Sequence, residues 1–210
     1  VGTDALGLDE EGLAVLATCD VVIHSAATVS FDSPVDLAVE VNLLGPSRVA
    51  EAITKAGSSA HLVAVSTAYV AGNRRGEAFE ELVTDTWYSP DVNWRTEVEA
   101  GRRAPRDAEH QSRQLEQLGT FWKQARKELG SAGTPLLAER SERIREEGVK
   151  QRLVEQGKSR AQSLGWPEVC AYSKALGEGA RLGTRGEVTV SFVRPSIIES
   201  AITGPGLGWW

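Results

Sequence analysis

Residues 19–24 read CDVVIH and residues 61–66 read HLVAVS, and the segment between them includes DLAVEVNLLGPSRVAEAITK (36–55). Each short apolar run is bounded by small polar residues, which is typical of a strand buried on both faces of a parallel sheet. In the intervening segment apolar residues recur at helical spacing, and Gly57 ends the pattern. The residues on this predicted face are Leu37, Val41, Leu44, Val49 and Ile53. A strand, a helix and a strand in this order predict a parallel crossover, and hence an α/β doubly wound sheet.

Further patterns extend this unit in both directions. Residues 8–18 have the spacing of a surface helix, and VTVSFV (188–193) is a β-branched run that predicts a third strand. Residues 74–163 are rich in Arg, Glu, Gln and Ala, which predicts a mostly helical segment. We therefore divide the chain into a partial sheet domain at 1–73 and 166–210, and a helical insert at 74–165.

Composition excludes several classes of protein. The formal net charge of −6 and the pI near 5.2 disfavour a nucleic-acid-binding surface, because neutralising phosphates needs a clustered excess of Lys and Arg. The two cysteines lack CxxC spacing and there are three histidines, so neither a disulfide framework nor a metal site is indicated. We expect a reducing, cytoplasmic environment. No apolar run is long enough to span a membrane, although peripheral membrane association stays open. Both ends of the chain look cut.

The candidate site follows from the sheet, because open α/β sheets bind ligands beyond the carboxyl ends of their strands. After the first strand, small residues follow His24 and would let a flat ligand approach, although a single His at this place is more often structural. After the second strand, the hydroxyls of Ser66 and Thr67 either donate to a substrate or cap the turn. Lys174, in AYSKALGE (171–178), is either a surface charge or a functional cation.

These segments, taken in order, resemble the extended short-chain dehydrogenase/reductase family. VIHSAATVSFD (22–32), EVNLLGP (40–46), VSTAYVAG (65–72), WPEVCAYSKALGE (166–178) and VRPSIIESAI (193–202) together resemble fatty acyl-CoA reductases in particular. The resemblance covers 1–73 and 166–210, and it implies a Rossmann-like doubly wound parallel sheet, N-terminally truncated before its glycine-rich phosphate-binding turn. It also implies NADPH as the cofactor and a fatty acyl-CoA as the substrate, reduced to an aldehyde or alcohol.

The resemblance assigns roles to individual residues. The resemblance places the catalytic hydroxyl at Thr67. It implies that Asn42 steadies the active-site helix and that Lys174 binds the nicotinamide ribose. A tyrosine is expected four residues before that lysine, and Cys170 stands there instead. The residues that it implies for cofactor binding are Ser25, Ala26, Ala27, Ser66, Lys174, Arg194, Pro195 and Ser196.

Cys170 is the departure from the family pattern. Helical positions four apart share a face and positions two apart do not, so Tyr172 is predicted to point away from the site. A cysteine thiol can donate a proton, but its reach is shorter than that of a tyrosine, so we expect poor catalysis. Either the chain is an impaired copy, or Thr67 and an ordered water supply the proton.

Two alternatives to an acyl-CoA reductase remain. A nucleotide-sugar epimerase or dehydratase shares the hydroxyl and lysine motifs but lacks the long insert. A non-catalytic Rossmann binding domain is favoured by Cys170. Within the insert, Trp87, Tyr88 and Trp94 either line an apolar groove for an acyl tail or fix the insert to the sheet.

Overall fold

The three predicted strands form one parallel sheet. The structure is a computed structural model that describes residues 4–83, 92–184 and 188–197, so Trp87 and Tyr88 lie outside the described residues. The strands β1 (Val21–His24), β2 (His61–Val65) and β3 (Val190–Val193) are paired in the order β1-β2-β3. The predicted parallel crossover is confirmed, and the fold is a Rossmann-like α/β fold.

Helices connect the strands and fill the segment between β2 and β3. They are α1 (Glu10–Ala17), α2 (Val35–Ala38), a π-helical turn (Val39–Leu43), α3 (Gly45–Lys55), α4 (Trp94–Ser112), α5 (Leu115–Leu129), α6 (Thr134–Ser163) and α7 (Val169–Thr184). Short 3-10 helices span Asp4–Gly7 and Ala68–Ala71. The Arg- and Glu-rich part of the sequence therefore contains α4, α5 and α6, with a break at residues 113 and 114.

One face of the sheet is covered by helices in the described part of the chain. Leu62 lies beside Val22 and Val190 on this face, where α3 packs through Val49 and Ile53. On the opposite face Val21 and Ile23 are 53% and 68% exposed. The prediction that β1 is buried on both faces is wrong for the described residues, because α3 and α7 both pack on the same side of the sheet.

The segment 35–55 buries only part of the face predicted for it, because Val49 and Ile53 are buried but Leu37 is not. Leu37 is 45% exposed, whereas Val39 and Leu43 are fully buried. After Leu37 the chain forms the π-helical turn, in which the Leu44 amide donates to the Val39 carbonyl five residues earlier, at 3.0 Å. The wider turn rotates the following residues relative to a regular α-helix and buries Asn42 at 3% exposure.

The insert packs on the sheet domain through α4 and α6. A methyl group added at Gly101 of α4 would lie 2.7 Å from Val39 Cγ2, so the absence of a side chain lets α4 approach the π-helical turn. None of the helices within the described ranges is long and apolar enough to cross a membrane.

Candidate functional site

A small cleft lies between the covered face of the sheet, the π-helical turn and α7. Residues from the ends of all three strands contribute to it, as does one face of α7. Its lining consists of His24, Ala26, Ala27, Asn42, Pro46, Ala64, Val65, Ser66, Lys174, Gly177, Glu178, Arg181 and Phe192. Five residues predicted for the site from sequence therefore meet in one cleft, namely Ala26, Ala27, Asn42, Ser66 and Lys174.

Asn42 holds the loop after β1 against α7. Its Oδ1 accepts from the Thr28 amide at 2.9 Å, and its Nδ2 donates to the Thr28 carbonyl at 3.0 Å. The same Nδ2 lies 3.2 Å from Ser173 Oγ and 3.9 Å from Cys170 Sγ. Because one buried amide contacts both the loop and α7, Asn42 fixes the position of the loop relative to the helix.

The Cys170 thiol is part of the same cluster. Its Sγ donates to the Thr28 carbonyl at 3.4 Å. Burial raises the pKa of Cys170, and the nearby Glu168 carboxylate raises it further, while Lys174 and the contact with Asn42 act in the opposite direction. The thiol is therefore protonated at neutral pH and is directed at a backbone carbonyl.

Lys174 lies one helical turn after Cys170 and reaches the end of β2. Its Nζ donates to the Ser66 carbonyl at a long distance of 3.4 Å. The Ser66 side chain also lines the cleft, and its Oγ is buried without a hydrogen-bond partner among the described residues. A polar ligand in the cleft would thus find an ammonium group and an unsatisfied hydroxyl side by side.

Tyr172 points away from this cleft, as the helical spacing predicts. Its hydroxyl donates to Glu97 Oε2 of α4 at 2.5 Å, and its side chain is 1% exposed. Burial raises the pKa of the Tyr172 phenol far above its ordinary range, and the Glu97 carboxylate contributes to the rise. The Tyr172 phenol is therefore a structural contact between α7 and the insert.

The remaining predicted residues lie at the edge of the cleft or outside it. Thr67 Oγ1 accepts from the Tyr69 amide at 3.2 Å and caps the 3-10 helix Ala68–Ala71. Arg194 binds the Glu178 carboxylate, with 2.5 Å between Nη2 and Oε2, and Glu178 lines the cleft. Pro195 accepts from the Ala68 amide through its carbonyl at 2.9 Å. Ser25 and Ser196 are exposed and do not line the cleft.

The sequence analysis did not single out three cleft residues on α7, namely Gly177, Glu178 and Arg181. They follow Lys174 by three, four and seven positions, which is the spacing of one helix face. A methyl group at Gly177 would lie 2.6 Å from the Asn42 carbonyl oxygen, so α7 touches the π-helical turn at this point. The helical spacing from Lys174 was the signal that could have identified them.

The start of α7 is fixed by its neighbours. Trp166 Nε1 donates to the Val70 carbonyl at 3.0 Å, which ties the residues before α7 to the segment after β2. Glu168 then caps the helix by accepting from the amides of Cys170 and Ala171 at 2.6 and 3.0 Å. These contacts set where Cys170 and Lys174 lie relative to the strand ends.

The cleft residues fit one part of a nicotinamide dinucleotide. Lys174 offers three N–H donors, and the Ser66 carbonyl accepts one of them at a long distance. The hydroxyl of the same serine has no hydrogen-bond partner among the described residues. Ala26 and Ala27 leave room for a flat group at the end of β1. Within the described ranges, no group of three or more His, Cys, Asp or Glu residues is arranged to hold a metal ion.

Comparisons of the sequence with known proteins show the family. The family model of an NAD-binding domain described as male sterility protein matches residues 1–210. Fatty acyl-CoA reductase 2, chloroplastic, of Arabidopsis thaliana is 30% identical over 205 residues, which cover 97% of this chain and 29% of that protein. The alcohol-forming fatty acyl-CoA reductase of Simmondsia chinensis is 28% identical over 190 residues, covering 90% of this chain and 33% of that protein. The chain spans about a third of the length of these curated relatives.

Proposed function

We propose a function from one premise: this chain belongs to the male sterility protein family of NAD-binding domains. The protein that contains it reduces a long-chain fatty acyl-CoA with NADPH, giving an aldehyde and then an alcohol. The names of the curated relatives support the acyl-CoA substrate. The family supports a nicotinamide dinucleotide. NADPH rather than NADH, like a cytoplasmic location, is our proposal from the sequence resemblance.

The observation that carries the proposal is the convergence of Asn42, Ser66 and Lys174 on one cleft. Lys174 would hold the two hydroxyls of the nicotinamide ribose, for which a compact ammonium with three donors is suited. Asn42 would keep the loop after β1 in place, and Ser66 would donate to a polar group of the cofactor or substrate. A bound cofactor would supply the hydride for the thioester carbonyl carbon. Breaking of the carbon–sulfur bond would then release the CoA thiolate, which takes up a proton, and leave the aldehyde. The alcohol would require a second hydride, from a second NADPH, and a proton for the alkoxide.

Proton donation is the step of the proposed reaction that the residues of this chain support least. The Cys170 thiol is engaged with the Thr28 carbonyl and has a raised pKa, and Thr67 accepts a hydrogen bond from the turn that it caps. A positioned general acid contributes a factor of about 10² to 10⁴ to a reaction rate. We therefore expect turnover well below that of a relative with tyrosine at this position.

The proposal is tested in the full-length protein by following NADPH oxidation with palmitoyl-CoA, and with UDP-glucose as the substrate of the alternative class. The variant Cys170→Tyr should raise the rate with palmitoyl-CoA at least tenfold, because it supplies a phenol beside Lys174. Cys170→Phe is the matched control, since it adds the ring without the hydroxyl, and it should not raise the rate. UDP-glucose turnover without palmitoyl-CoA turnover would contradict the proposal.

A non-catalytic binding domain is the second candidate, and one observation favours it. The thiol at the expected acid position is half-buried and hydrogen-bonded to backbone, as in a structural cysteine. This candidate predicts that the wild-type protein and Cys170→Tyr both bind NADPH, and that neither oxidises it with palmitoyl-CoA.

The proposal also assigns the acyl tail to a groove on the far side of the π-helical turn. The groove has a volume of about 390 Å³ and lies between α2, α4, α6 and α7. Its apolar lining consists of Val35, Val39, Ala100, Gly101, Ala104 and Tyr172. Glu97, which also lines it, has its carboxylate engaged by Arg160 and Tyr172, while the exposed Arg103 and Asp107 lie at its polar side. Mostly apolar clefts of this size are typical ligand sites.

A further inference from the structure

Lys174 and Glu178 lie one helical turn apart on the face of α7 that lines the cleft. Helical positions four apart bring a lysine and a glutamate side chain within reach of each other, and the two can form an ion pair. In this protein they bind other groups instead. Lys174 donates to the Ser66 carbonyl, and the Glu178 carboxylate is bound by Arg194. The lysine of the cleft therefore does not spend its charge on the acid of its own helix.

Arg194, which directly follows β3, holds both oxygens of the Glu178 carboxylate. Its Nε donates to Oε1 at 3.1 Å, and its Nη2 donates to Oε2 at 2.5 Å. Its Nη1 donates to the Glu81 carbonyl at 2.8 Å, which fixes the plane of the guanidinium in a third direction. Glu178 is 2% exposed and lines the cleft, whereas Arg194 does not line it. Arg194 therefore acts on the cleft through Glu178.

Without Arg194, Glu178 would be a buried carboxylate in need of a cation, because an unpaired buried charge is strongly unfavourable. Arg181, three residues later on α7, is held by packing, since it is 2% exposed and its guanidinium carbon lies 5.1 Å from the centre of the Phe192 ring. Lys174 has a flexible stem, and its hydrogen bond to a backbone carbonyl is long, at 3.4 Å. Lys174 is therefore the cation that a released Glu178 would draw toward itself.

We propose that Arg194 is a positioning residue, which binds Glu178 and thereby keeps Lys174 available to the cofactor. This role rests on the proposed function, in which Lys174 holds the nicotinamide ribose. Arg194 then serves cofactor binding without touching the cofactor, in contrast to the direct contact that the sequence resemblance implies for it.

Two substitutions break the same ion pair but have different consequences for Lys174. Arg194→Met releases the carboxylate, so NADPH binding by the full-length protein, titrated by fluorescence, should weaken by about fivefold or more. Glu178→Gln removes the negative charge, so it should bind NADPH as the wild type does, and the double variant should bind as Glu178→Gln does. An ion pair with a purely structural role predicts similar losses from both single substitutions. That result, or wild-type binding by Arg194→Met, would overturn the proposal.

Acetylation of Lys174 without any cofactor gives a second readout, measured by mass spectrometry after brief exposure to an amine-reactive ester. A neighbouring carboxylate favours the charged ammonium, which does not react, so labelling should slow in Arg194→Met and recover in the double variant. Unchanged labelling in Arg194→Met, as expected if Arg181 captures Glu178, would also overturn the proposal. Lys174→Ala distinguishes the two levels of the argument. Normal NADPH binding by Lys174→Ala would refute the proposed function of Lys174 itself, whereas weak binding by Lys174→Ala with normal binding by Arg194→Met would refute the role of Arg194 alone.

Arg194→Lys serves as a second variant, because Arg194→Met leaves a buried carboxylate without a counter-charge and can fail to fold. A lysine keeps the charge but lacks the planar fork that binds both oxygens, so it should give a smaller loss of NADPH binding that Glu178→Gln reverses. A loss that Glu178→Gln does not reverse would count against the proposal. Arg140→Met is the matched control, since Arg140 also binds two carboxylates, Glu128 and Glu147, but does so in the insert. It should leave NADPH binding and the labelling of the cleft lysine unchanged.

Discussion

Single residues of α7 have different roles because they point in different directions from the helix axis. Cys170 and Lys174, four residues apart, both face the strand ends, where they contact Thr28 and Ser66. Tyr172, between them, faces the insert and binds Glu97. A shift of the expected tyrosine by two residues therefore does not preserve its function, since the phenol moves to the opposite side of the helix. Only Lys174 of the expected tyrosine–lysine pair remains in the cleft.

The role of Lys174 is tested by cofactor binding in the full-length protein. Lys174→Ala should weaken NADPH binding tenfold or more, because a hydrogen bond from a charged donor contributes about 1.5–3 kcal/mol. Lys174→Arg should also weaken binding although the charge is kept, because a planar guanidinium fits a vicinal diol less well than an ammonium. Titration followed by NADPH fluorescence measures both. Lys158→Ala, an exposed lysine of α6, is the control and should bind as the wild type does.

At the scale of elements, contact between α7 and the π-helical turn positions the site. Gly177 of α7 lies against the backbone of Asn42 and Leu43, closer than any side chain would permit. Asn42 faces Thr28 and Ser173 from that same turn. The distance between α7 and the turn thus determines whether the Asn42 amide reaches both the loop and the helix.

Gly177→Ala should therefore destabilise the protein and loosen the site. The added methyl group would lie 2.6 Å from the Asn42 carbonyl oxygen and 3.3 Å from Leu43 Cα, both backbone atoms, so the helix must shift. Overpacking of this kind costs about 1–3 kcal/mol in free energy of unfolding, measured by urea denaturation. Gly119→Ala in α5 is the control, because nothing lies within 4 Å of its added methyl group. It should be neutral or stabilising by up to about 1 kcal/mol. Equal effects of the two substitutions would contradict this account of the contact.

The acyl groove gives a second prediction at this scale. Ala100 is an exposed residue of α4 that lines the groove, so Ala100→Phe should obstruct it without disturbing the core. We expect a rise of at least tenfold in the KM for palmitoyl-CoA and little change in the KM for butyryl-CoA, measured in the full-length protein. Arg106→Phe adds a ring at an exposed position of the same helix that does not line the groove, and it should leave both values unchanged. An equal loss for both chain lengths would rule out the groove as the tail site.

The sequence predicted which residues form strands and helices more accurately than which side of each element is buried. Short apolar or β-branched runs located the three strands, and helical spacing located α3, because burial against a neighbour imposes these patterns. The π-helical turn was not predictable, since no residue type marks it, and it places Asn42 in the interior. Arg181 was missed for a related reason. An arginine in a helix is normally exposed, and only the packing of α7 on Phe192 shows that this one is buried.

At the scale of the whole molecule, a buried polar cluster helps to join the insert to the sheet domain. Glu97 of α4 is 7% exposed, accepts from the Tyr172 hydroxyl of α7, and binds the guanidinium of Arg160 of α6 at 2.5 and 3.0 Å. Three helices thus meet at a single carboxylate, whose two oxygens are both occupied. The insert is consequently attached to the same helix that carries Cys170 and Lys174.

The pH dependence of stability should reveal this cluster. The hydrogen bond from Arg160 is the largest cause that lowers the pKa of Glu97 below its ordinary value of 4.5, and the bond from Tyr172 adds to it, against the effect of burial. Because the folded-state pKa is the lower one, the stability that ionised Glu97 contributes is fully present above pH 4.5 and is lost as the pH falls through the folded-state value. Glu97→Gln should therefore lower the free energy of unfolding at pH 7 by about 1–3 kcal/mol. This loss is smaller than that expected for a fully buried ion pair, because Arg160 is partly exposed to solvent.

The same variant should lose less stability on acidification than the wild type does, so that urea unfolding curves of the two proteins converge as the pH falls from 5 to 3. Glu139→Gln is the control, since Glu139 pairs with Arg143 at the surface, with both side chains more than half exposed. An exposed pair of this kind contributes at most about 0.5 kcal/mol, so this variant should follow the wild type at every pH. A gap between Glu97→Gln and the wild type that is as large at pH 3 as at pH 7 would mean that the ionised carboxylate is not what joins α4 to α7. The contact would then depend on the shape of the side chain alone, and the attachment of the insert would be insensitive to pH.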